Sequence, residues 1–208
     1  MQLMCVDVVR ALRCQSKRRQ MTSLKEQLKN LSGNRQIERT CSAVLVPDGR
    51  VVVLEEGAMV YIMQAKGTSV TVEFNGQMLM IGDIELDALG LTFDSSLYAH
   101  LTDSRLSILD QAWLQLKTCY DPEIPVNIVD LGLIYHCQVN EETEGVSIRV
   151  VMTLTAPGCG MGPVLMEEAR RKLYMIEAVK QVDVELVLDP PWSQMMMSDI
   201  AKLELGLL

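Results

Sequence analysis

Closely spaced turns divide residues 40–90 into short segments, and this spacing strongly constrains the fold. The turns are Pro47-Asp48-Gly49, Glu55-Glu56-Gly57, Lys66-Gly67 and Asn75-Gly76. They separate five segments rich in β-branched and other apolar residues, and Asn-Gly is a strong signal for a two-residue hairpin. Five strands in about 50 residues predict a small barrel or rolled sheet. The charged residues of this stretch are most simply explained as a solvated face.

A different pattern begins near residue 94 and predicts alternating helices and strands. Leu106, Leu109, Trp113 and Leu116 repeat at helical spacing, with a cap expected at residues 102–104 and a stop at Pro122. Strands are predicted at 133–139, 146–154 and 182–188, and helices from Pro163 to about 178 and at 198–205. The order α-β-β-α-β-α predicts an open mixed sheet covered by helices, so the whole chain is expected to be α+β.

The chain is therefore divided into three parts: residues 1–36, 37–93 and 94–208. The first part is basic, and Leu24, Leu28 and Leu31 would share one helix face before a stop at Gly33-Asn34. A solvated or loosely docked helical appendage is the favoured interpretation. An Arg-rich organellar presequence stays open as an alternative, and so does Met21 as the true start of the chain.

Charge and hydropathy exclude several classes of function. The formal net charge of -8 argues against nucleic acid as a general partner, because binding to phosphates needs a basic surface. No stretch approaches the roughly 18 to 20 continuous apolar residues that span a bilayer. We therefore expect a soluble protein that does not bind membranes.

The cysteine pattern excludes common zinc and redox motifs. Six cysteines are well separated and none forms a C-x-x-C pair, which excludes a zinc ribbon or a thioredoxin motif. Only two histidines are present, so a histidine-rich metal site is excluded as well. The pattern favours free thiols in a reducing, cytoplasmic setting.

Cys159 lies between Gly158 and Gly160, where a β-branched strand pattern gives way to a helix pattern. Free N–H groups and the partial positive charge at a helix start stabilise a thiolate, which is the form that attacks electrophiles and binds metals. An alternative is that the glycines only form a tight turn and that Cys159 is a small buried apolar residue.

Three segments carry a family resemblance: D-P-E-I-P-V-N-I-V-D-L-G-L-I-Y at 121–135, T-A-P-G-C-G-M-G at 155–162 and D-P-P-W at 189–192. They resemble the three signatures of the PaaD-like metal-sulfur cluster biosynthesis family, over about residues 103–208. The segment Arg39-Thr40-Cys41-Ser42-Ala43, the turn Pro47-x-Gly49 and the later Asp87-Ala88-Leu89-Gly90 resemble the β-rich leading domain of SufT-type members. Residues 1–36 lie outside the resemblance.

The resemblance implies a non-catalytic role in iron-sulfur protein maturation, with assembly proteins and apo-clients as partners. It implies Cys159 as a metal or cluster ligand, and Cys41 as a second candidate. Iron-sulfur clusters take about four protein ligands, so one thiolate does not hold a cluster well. Two chains of a homo-oligomer could share a cluster, other groups could join, or binding could be transient.

Six further residues of the three motifs are candidates for the site: Asp121, Glu123, Asn127, Asp130, Thr155 and Trp192. The three acidic residues could supply oxygen ligands or recognition charges, but acidic and amide side chains also close turns through their own backbone. The threonine could orient the cysteine loop by a hydrogen bond. The tryptophan is either a core anchor or an exposed recognition aromatic, and anchoring is favoured.

Two other classes of function stay open. A thiol enzyme would use Cys159 as nucleophile with His136 or His100 as base. A metal-free adaptor would use the acidic surface and Met195, Met196 and Met197 to bind assembly factors and clients. Of the remaining cysteines, Cys119 and Cys137 are expected to be packing residues, and Cys5 and Cys14 receive no role.

Overall fold

A computed structural model describes residues 32–91, 105–142 and 145–208 of the protein. Several predicted features lie outside these described residues: the helix over residues 1–31, the cap at 102–104, His100, Cys5 and Cys14. Within the described part of the chain, no helix is long and apolar enough to cross a membrane.

Residues 33–81 form one antiparallel sheet, which we call the leading sheet. Its strands are β1 (Gly33–Gln36), β2 (Cys41–Val46), β3 (Val51–Leu54), β4 (Met59–Lys66), β5 (Ser69–Phe74) and β6 (Gln77–Ile81). Their order across the sheet is β1-β4-β5-β6-β2-β3. Strand β3 lies at one edge and β4 next to the opposite edge, yet residues 55–58 form a tight turn between them, with Ala58 N–H donating to the Glu55 carbonyl at 3.1 Å. The sheet must therefore curl, as the turn spacing predicts.

Strand β1 is a difference from the sequence prediction. Residues 33–36 were expected to end a helical appendage, but they pair with β4, where Gly33 lies opposite Ile62 and Gln36 opposite Met59. Gly33 and Asn34, which suggested a helix stop, do not predict this pairing. The hydrogen bonds of β1 come from a partner strand more than 20 residues away in the sequence. The structure thus places residues 33–36 in the leading sheet.

A 3₁₀ helix, Asp83–Leu89, follows β6 and closes the leading unit, the name we use for residues 32–91. Its Leu86, Ala88 and Leu89 are buried in the core of the curled sheet. Arg39 ties the helix to the start of β2 through ion pairs with Glu85 at 2.8 Å and with Asp87. The core of this unit is therefore closed by a segment that carries no strong helical periodicity.

The second half of the chain forms the C-terminal unit in the predicted order α-β-β-α-β-α. Its elements are α1 (Ile108–Leu116), β7 (Ile134–Glu142), β8 (Gly145–Met152), α2 (Gly162–Leu173), β9 (Val179–Leu186) and α3 (Asp199–Glu204). Strands β7 and β8 are antiparallel, and β8 and β9 are parallel, with α2 as the crossover. The predicted mixed sheet and the α+β class are confirmed. Helix α1 begins later than predicted, since the Ser107 hydroxyl accepts the Asp110 N–H as its cap at 3.1 Å.

Helix α2 is buried on two faces. Leu165, Ala169 and Leu173 pack into the core between the helices and the C-terminal sheet. A second stripe, at positions 164, 168 and 171, faces the leading unit: Val164 packs beside Val46 and Met80, the Glu168 carboxylate accepts a hydrogen bond from Thr68, and Arg171 pairs with Asp83 at 2.5 Å. The two units are therefore packed together along this helix.

A buried ion pair lies at the centre of this contact. The Lys172 ammonium is 3.6 Å from the Glu168 carboxylate and donates to the Thr118 carbonyl at 2.9 Å. The Thr68 hydroxyl of the leading unit donates to Glu168 at 3.4 Å, and both charged side chains are almost fully buried. Burial raises the pKa of the Glu168 carboxyl, and the nearby Lys172 and Arg171 oppose that rise. The charge on Glu168 thus depends on Lys172.

We expect Lys172→Met to lower the free energy of unfolding by about 3 kcal/mol, because it leaves the Glu168 carboxylate buried without its partner. Lys180→Met, on the exposed side of β9, is the matched control and should change stability by less than about 0.5 kcal/mol. Urea denaturation of both variants measures the difference. Similar losses in the two variants would contradict a specific role for the buried pair.

The same variant should show a defined pH dependence. A carboxyl whose folded-state pKa is raised penalises the fold only when it is ionised, so the penalty is absent below the unfolded pKa and grows as pH rises through the folded pKa. Without Lys172 that folded pKa rises further. The stability lost in Lys172→Met should therefore be smaller at about pH 5 than at about pH 8, and equal losses would count against an ionised Glu168 as the cause.

Candidate functional site

The Cys159 loop connects β8 to α2. The Cys159 N–H donates to the Ala156 carbonyl at 3.3 Å, and the Cys159 carbonyl accepts the Gly162 N–H at 3.2 Å. Helix α2 begins at Gly162, so Pro163 is its second residue, where a missing N–H still costs no helical hydrogen bond. The predicted strand-turn-helix context is confirmed, with Cys159 three residues before the helix.

Cys159 lies where two apolar cores meet. Its side chain is partly buried and packs against the core of the C-terminal unit. It also packs against a small cluster formed by Val46, Met80 and Met161, two of which belong to the leading sheet. The surroundings of this thiol therefore come from both halves of the chain.

Asp121 closes a turn at the start of the 121–135 loop. Its carboxylate accepts the N–H groups of Glu123 at 2.8 Å and Ile124 at 2.9 Å. Burial raises the pKa of Asp121, while the two backbone N–H groups oppose the rise. Glu123 itself is exposed. This geometry favours the turn-closing interpretation for Asp121.

Asn127 and Asp130 close the next turn in the same loop. The Asn127 side-chain oxygen accepts the N–H groups of Val129 at 3.1 Å and Asp130 at 2.9 Å, and its amide nitrogen donates to the Asp130 carboxylate at 2.6 Å. All of these hydrogen bonds lie within residues 127–130, so Asn127 and Asp130 stabilise the conformation of the loop. Such turns follow from the local chemistry of Asn and Asp.

The 189–192 loop is tied to the 121–135 loop. The Trp192 indole N–H donates to the Leu131 carbonyl at 2.8 Å, and its ring packs partly buried against the C-terminal core. The Tyr135 hydroxyl donates to the Pro190 carbonyl at 2.7 Å. Two of the three sequence motifs thus meet, and Trp192 has the position of an anchor. The role of Tyr135 was missed, although an aromatic inside a motif was a usable signal.

The structure does not bring Cys41 and Cys159 together. Cys41, Ala43 and Leu45 point into the core of the curled leading sheet, whereas Val46 lies on the opposite face of β2, beside Cys159. Side chains alternate between the two faces of a strand, so these two faces do not share a ligand. Burial also raises the pKa of Cys41, which is 4% exposed.

The other two described cysteines, Cys119 and Cys137, pack in the C-terminal core. Cys119 is fully buried, and burial strongly raises its pKa. Burial raises the pKa of Cys137 to about 11. Its neighbour His136 is on the exposed face of β7, away from the core against which Cys159 packs. The structure therefore does not provide His136 as a base for Cys159.

Donor groups for a resident metal ion are scarce. Within residues 32–91, 105–142 and 145–208, no three His, Cys, Asp or Glu side chains are grouped so that they could hold a metal. Thr155 is partly exposed, and among these residues the structure shows no hydrogen bond from its hydroxyl to the cysteine loop. The described residues therefore provide no complete ligand set for a resident cluster at Cys159.

Comparison with known proteins identifies the C-terminal unit. A family model described as iron-sulfur cluster assembly protein matches residues 109–186. The Fe-S protein maturation auxiliary factor of Porphyromonas gingivalis is 46% identical over 93 residues, which is 45% of this chain and 86% of that protein. The auxiliary factor SufT of Staphylococcus aureus is 44% identical over 86 residues, 41% of this chain and 94% of that protein. The factor YitW of Bacillus subtilis is 38% identical over 92 residues, 44% and 87% respectively.

The leading sheet lies outside this similarity. The family match begins inside α1 and ends in β9. Less than half of this chain aligns with almost the full length of each relative. The leading unit, which packs along α2 and beside Cys159, therefore lies outside the family match, and these three relatives do not support the predicted resemblance of its segments to a leading domain of SufT-type members.

Replacement of Asp121 separates a turn-closing role from a metal-ligand role. Asp121→Ala should lower the free energy of unfolding by about 1 to 2 kcal/mol, because two backbone N–H groups lose their acceptor. Asp121→Asn should retain most of that stability, since its amide oxygen can accept the same bonds. Thermal or urea unfolding measures both variants. An Asn variant as unstable as the Ala variant would show that the charge matters, contrary to this interpretation.

The cysteines should differ in reactivity in the folded protein. Among Cys41, Cys119, Cys137 and Cys159, we expect iodoacetamide to modify Cys159 first, because it is partly exposed while Cys41 and Cys119 are buried. Cys137 should be slow because a pKa of about 11 leaves little thiolate at neutral pH. Mass spectrometry of each peptide measures the rates. Modification of Cys119 as fast as Cys159 would contradict the packing described above.

Proposed function

This chain belongs to the iron-sulfur cluster assembly family, and we propose that it acts as a non-catalytic auxiliary factor in the maturation of iron-sulfur proteins. Cys159 is the residue that would hold iron or a cluster as cargo. The observation that carries this proposal is the placement of Cys159: it is a partly exposed thiol in a glycine loop three residues before a helix. Thiolates are the usual protein ligands of these clusters.

A single thiolate suits cargo that is handed on. A complete set of about four ligands would retain a cluster, whereas a site with one thiolate needs partner groups to complete it. In the described part of the chain, no three His, Cys, Asp or Glu side chains are grouped so that they could complete such a set. An assembly protein, an apo-client or a second copy of this chain would therefore complete the coordination during transfer.

The partners follow from the same proposal. The three relatives are described as Fe-S protein maturation auxiliary factors, which supports assembly proteins and apo-clients as the partners of this chain. The four cysteines in the described residues are free thiols, which supports a reducing cytoplasmic location.

A metal-free adaptor is the second candidate, and the exposed apolar residues near the C-terminus favour it. Met195 is 88% exposed, and Ile200 and Leu203 project from the outer side of α3. A flexible methionine beside exposed aliphatic groups suits adaptable partner binding. An adaptor would join assembly factors to clients without using the Cys159 sulfur.

Anaerobic reconstitution with iron and sulfide tests the proposal. Wild type should show a thiolate-to-iron charge-transfer band, and Cys159→Ser should lose the band and the bound iron. Cys137→Ser is the matched control, since Cys137 is also partly buried but lies in β7 on the core side. Cys41→Ser should keep the iron, because Cys41 lies on the other face of β2.

Equal iron content in wild type and Cys159→Ser would contradict the carrier role. In that case a client-maturation assay is carried out with Cys159→Ser. Maturation of the client by this variant would favour the adaptor. Replacement of Met195 and Leu203 by Lys should then abolish partner capture, whereas a carrier would retain its iron in that variant.

A further inference from the structure

The leading sheet touches the Cys159 loop through backbone atoms. The turn between β2 and β3, residues 47–49, lies directly against Gly160. A side chain at Gly160 would overlap the Asp48 carbonyl oxygen and come within 2.7 Å of the Pro47 carbonyl oxygen. A side chain at Gly49 would likewise overlap the Gly160 carbonyl oxygen. Both glycines are therefore required by one close approach of two backbones.

The turn that makes this contact is held from its own side. The Gly49 N–H donates to the Leu45 carbonyl at 2.7 Å, and the Leu45 N–H donates to the Arg50 carbonyl at 2.8 Å. Gly49 has a φ of 80°, in the left-handed region that favours glycine. The hairpin thus presents its turn to the Cys159 loop in one defined conformation.

Apolar packing continues the contact beside the thiol. Met161 is 1% exposed and packs with Val46 and Met80 of the leading sheet, and Cys159 and Met78 pack partly buried against the same cluster. Helix α2, which follows the loop, is held by the same unit through Glu168 and Arg171. The loop therefore has the leading unit on one side and the C-terminal core on the other.

We infer that the leading unit is a positioning and covering element for Cys159: the turn at residues 47–49 holds the cysteine loop and shields one side of the thiol. This role goes beyond the family similarity, which does not include the leading sheet. Its meaning for cluster transfer rests on the proposed function. Access to Cys159 would then be confined to the side that the leading unit leaves open.

The test compares Gly49→Ala with Gly76→Ala. Gly76 is also a hairpin glycine, with a φ of 76°, but its Cβ position has open space around it. Both substitutions therefore introduce similar backbone strain, and only Gly49→Ala pushes the turn off the Cys159 loop. Iodoacetamide labelling is followed at each cysteine by mass spectrometry, with Cys41 and Cys119 as internal reporters of unfolding in the two cores.

In Gly49→Ala, we expect Cys159 to be alkylated at least about fivefold faster than in wild type and in Gly76→Ala, with Cys41 and Cys119 still protected, because the change opens the structure locally. Gly160→Ala should reproduce this result from the other side of the contact. Equal Cys159 rates in Gly49→Ala and Gly76→Ala, with both cores protected, would overturn the inference.

If Gly49→Ala unfolds the protein, a milder pair of variants tests the inference instead. Met78→Ala trims the packing beside Cys159, and Met59→Ala removes an exposed methionine of β4 outside the contact. Faster Cys159 labelling in Met78→Ala alone supports the inference, and equal rates overturn it. Alkylation needs no iron, so a failure to bind iron with this coverage intact would count against the proposed function alone.

Discussion

Helix α2 is buried between the C-terminal sheet and the leading unit, and the packing of the two units depends on this helix. One stripe of aliphatic residues packs into its own sheet, and a second stripe carries Glu168 and Arg171 toward the leading unit. A buried carboxylate is tolerated only with a partner, which here is Lys172 on the next turn of the same helix. The leading unit contributes the Thr68 hydroxyl to this pair. The contact between the two units is therefore polar as well as apolar.

This arrangement gives the cysteine loop contacts with a unit that the family match does not include. The family similarity covers the C-terminal unit, which already contains the loop, the helix and the turns at Asp121 and Asn127. The leading sheet adds a second wall. Because the contact at Gly160 is between backbones, it does not depend on the rotamer of any side chain. Such a contact holds the position of the loop without involving the Cys159 sulfur.

The local features were predictable because local chemistry decides them. Asp121 and Asn127 accept N–H groups two and three residues ahead, which any loop with these residues can do. The order of helices and strands after residue 105 follows from apolar periodicity, and it is confirmed. Strand β1 and the 3₁₀ helix at Asp83–Leu89 were not predicted, because their partners are distant in sequence: β1 needs β4, and the helix needs Arg39 and the curled sheet.

The amino-acid sequence by itself determined the turns, the succession of elements and the family, since each of these is written in short segments, and it predicts Cys159 as the reactive thiol. Only the tertiary structure decided which cysteines are near one another. Cys41 is five residues from Val46, yet strand alternation puts the two on opposite faces, so Cys41 is buried away from Cys159 while Val46 packs beside it. The pairing of Gly49 with Gly160 was likewise invisible in the sequence, because a close approach of two backbones leaves no pattern beyond two glycines more than 100 residues apart.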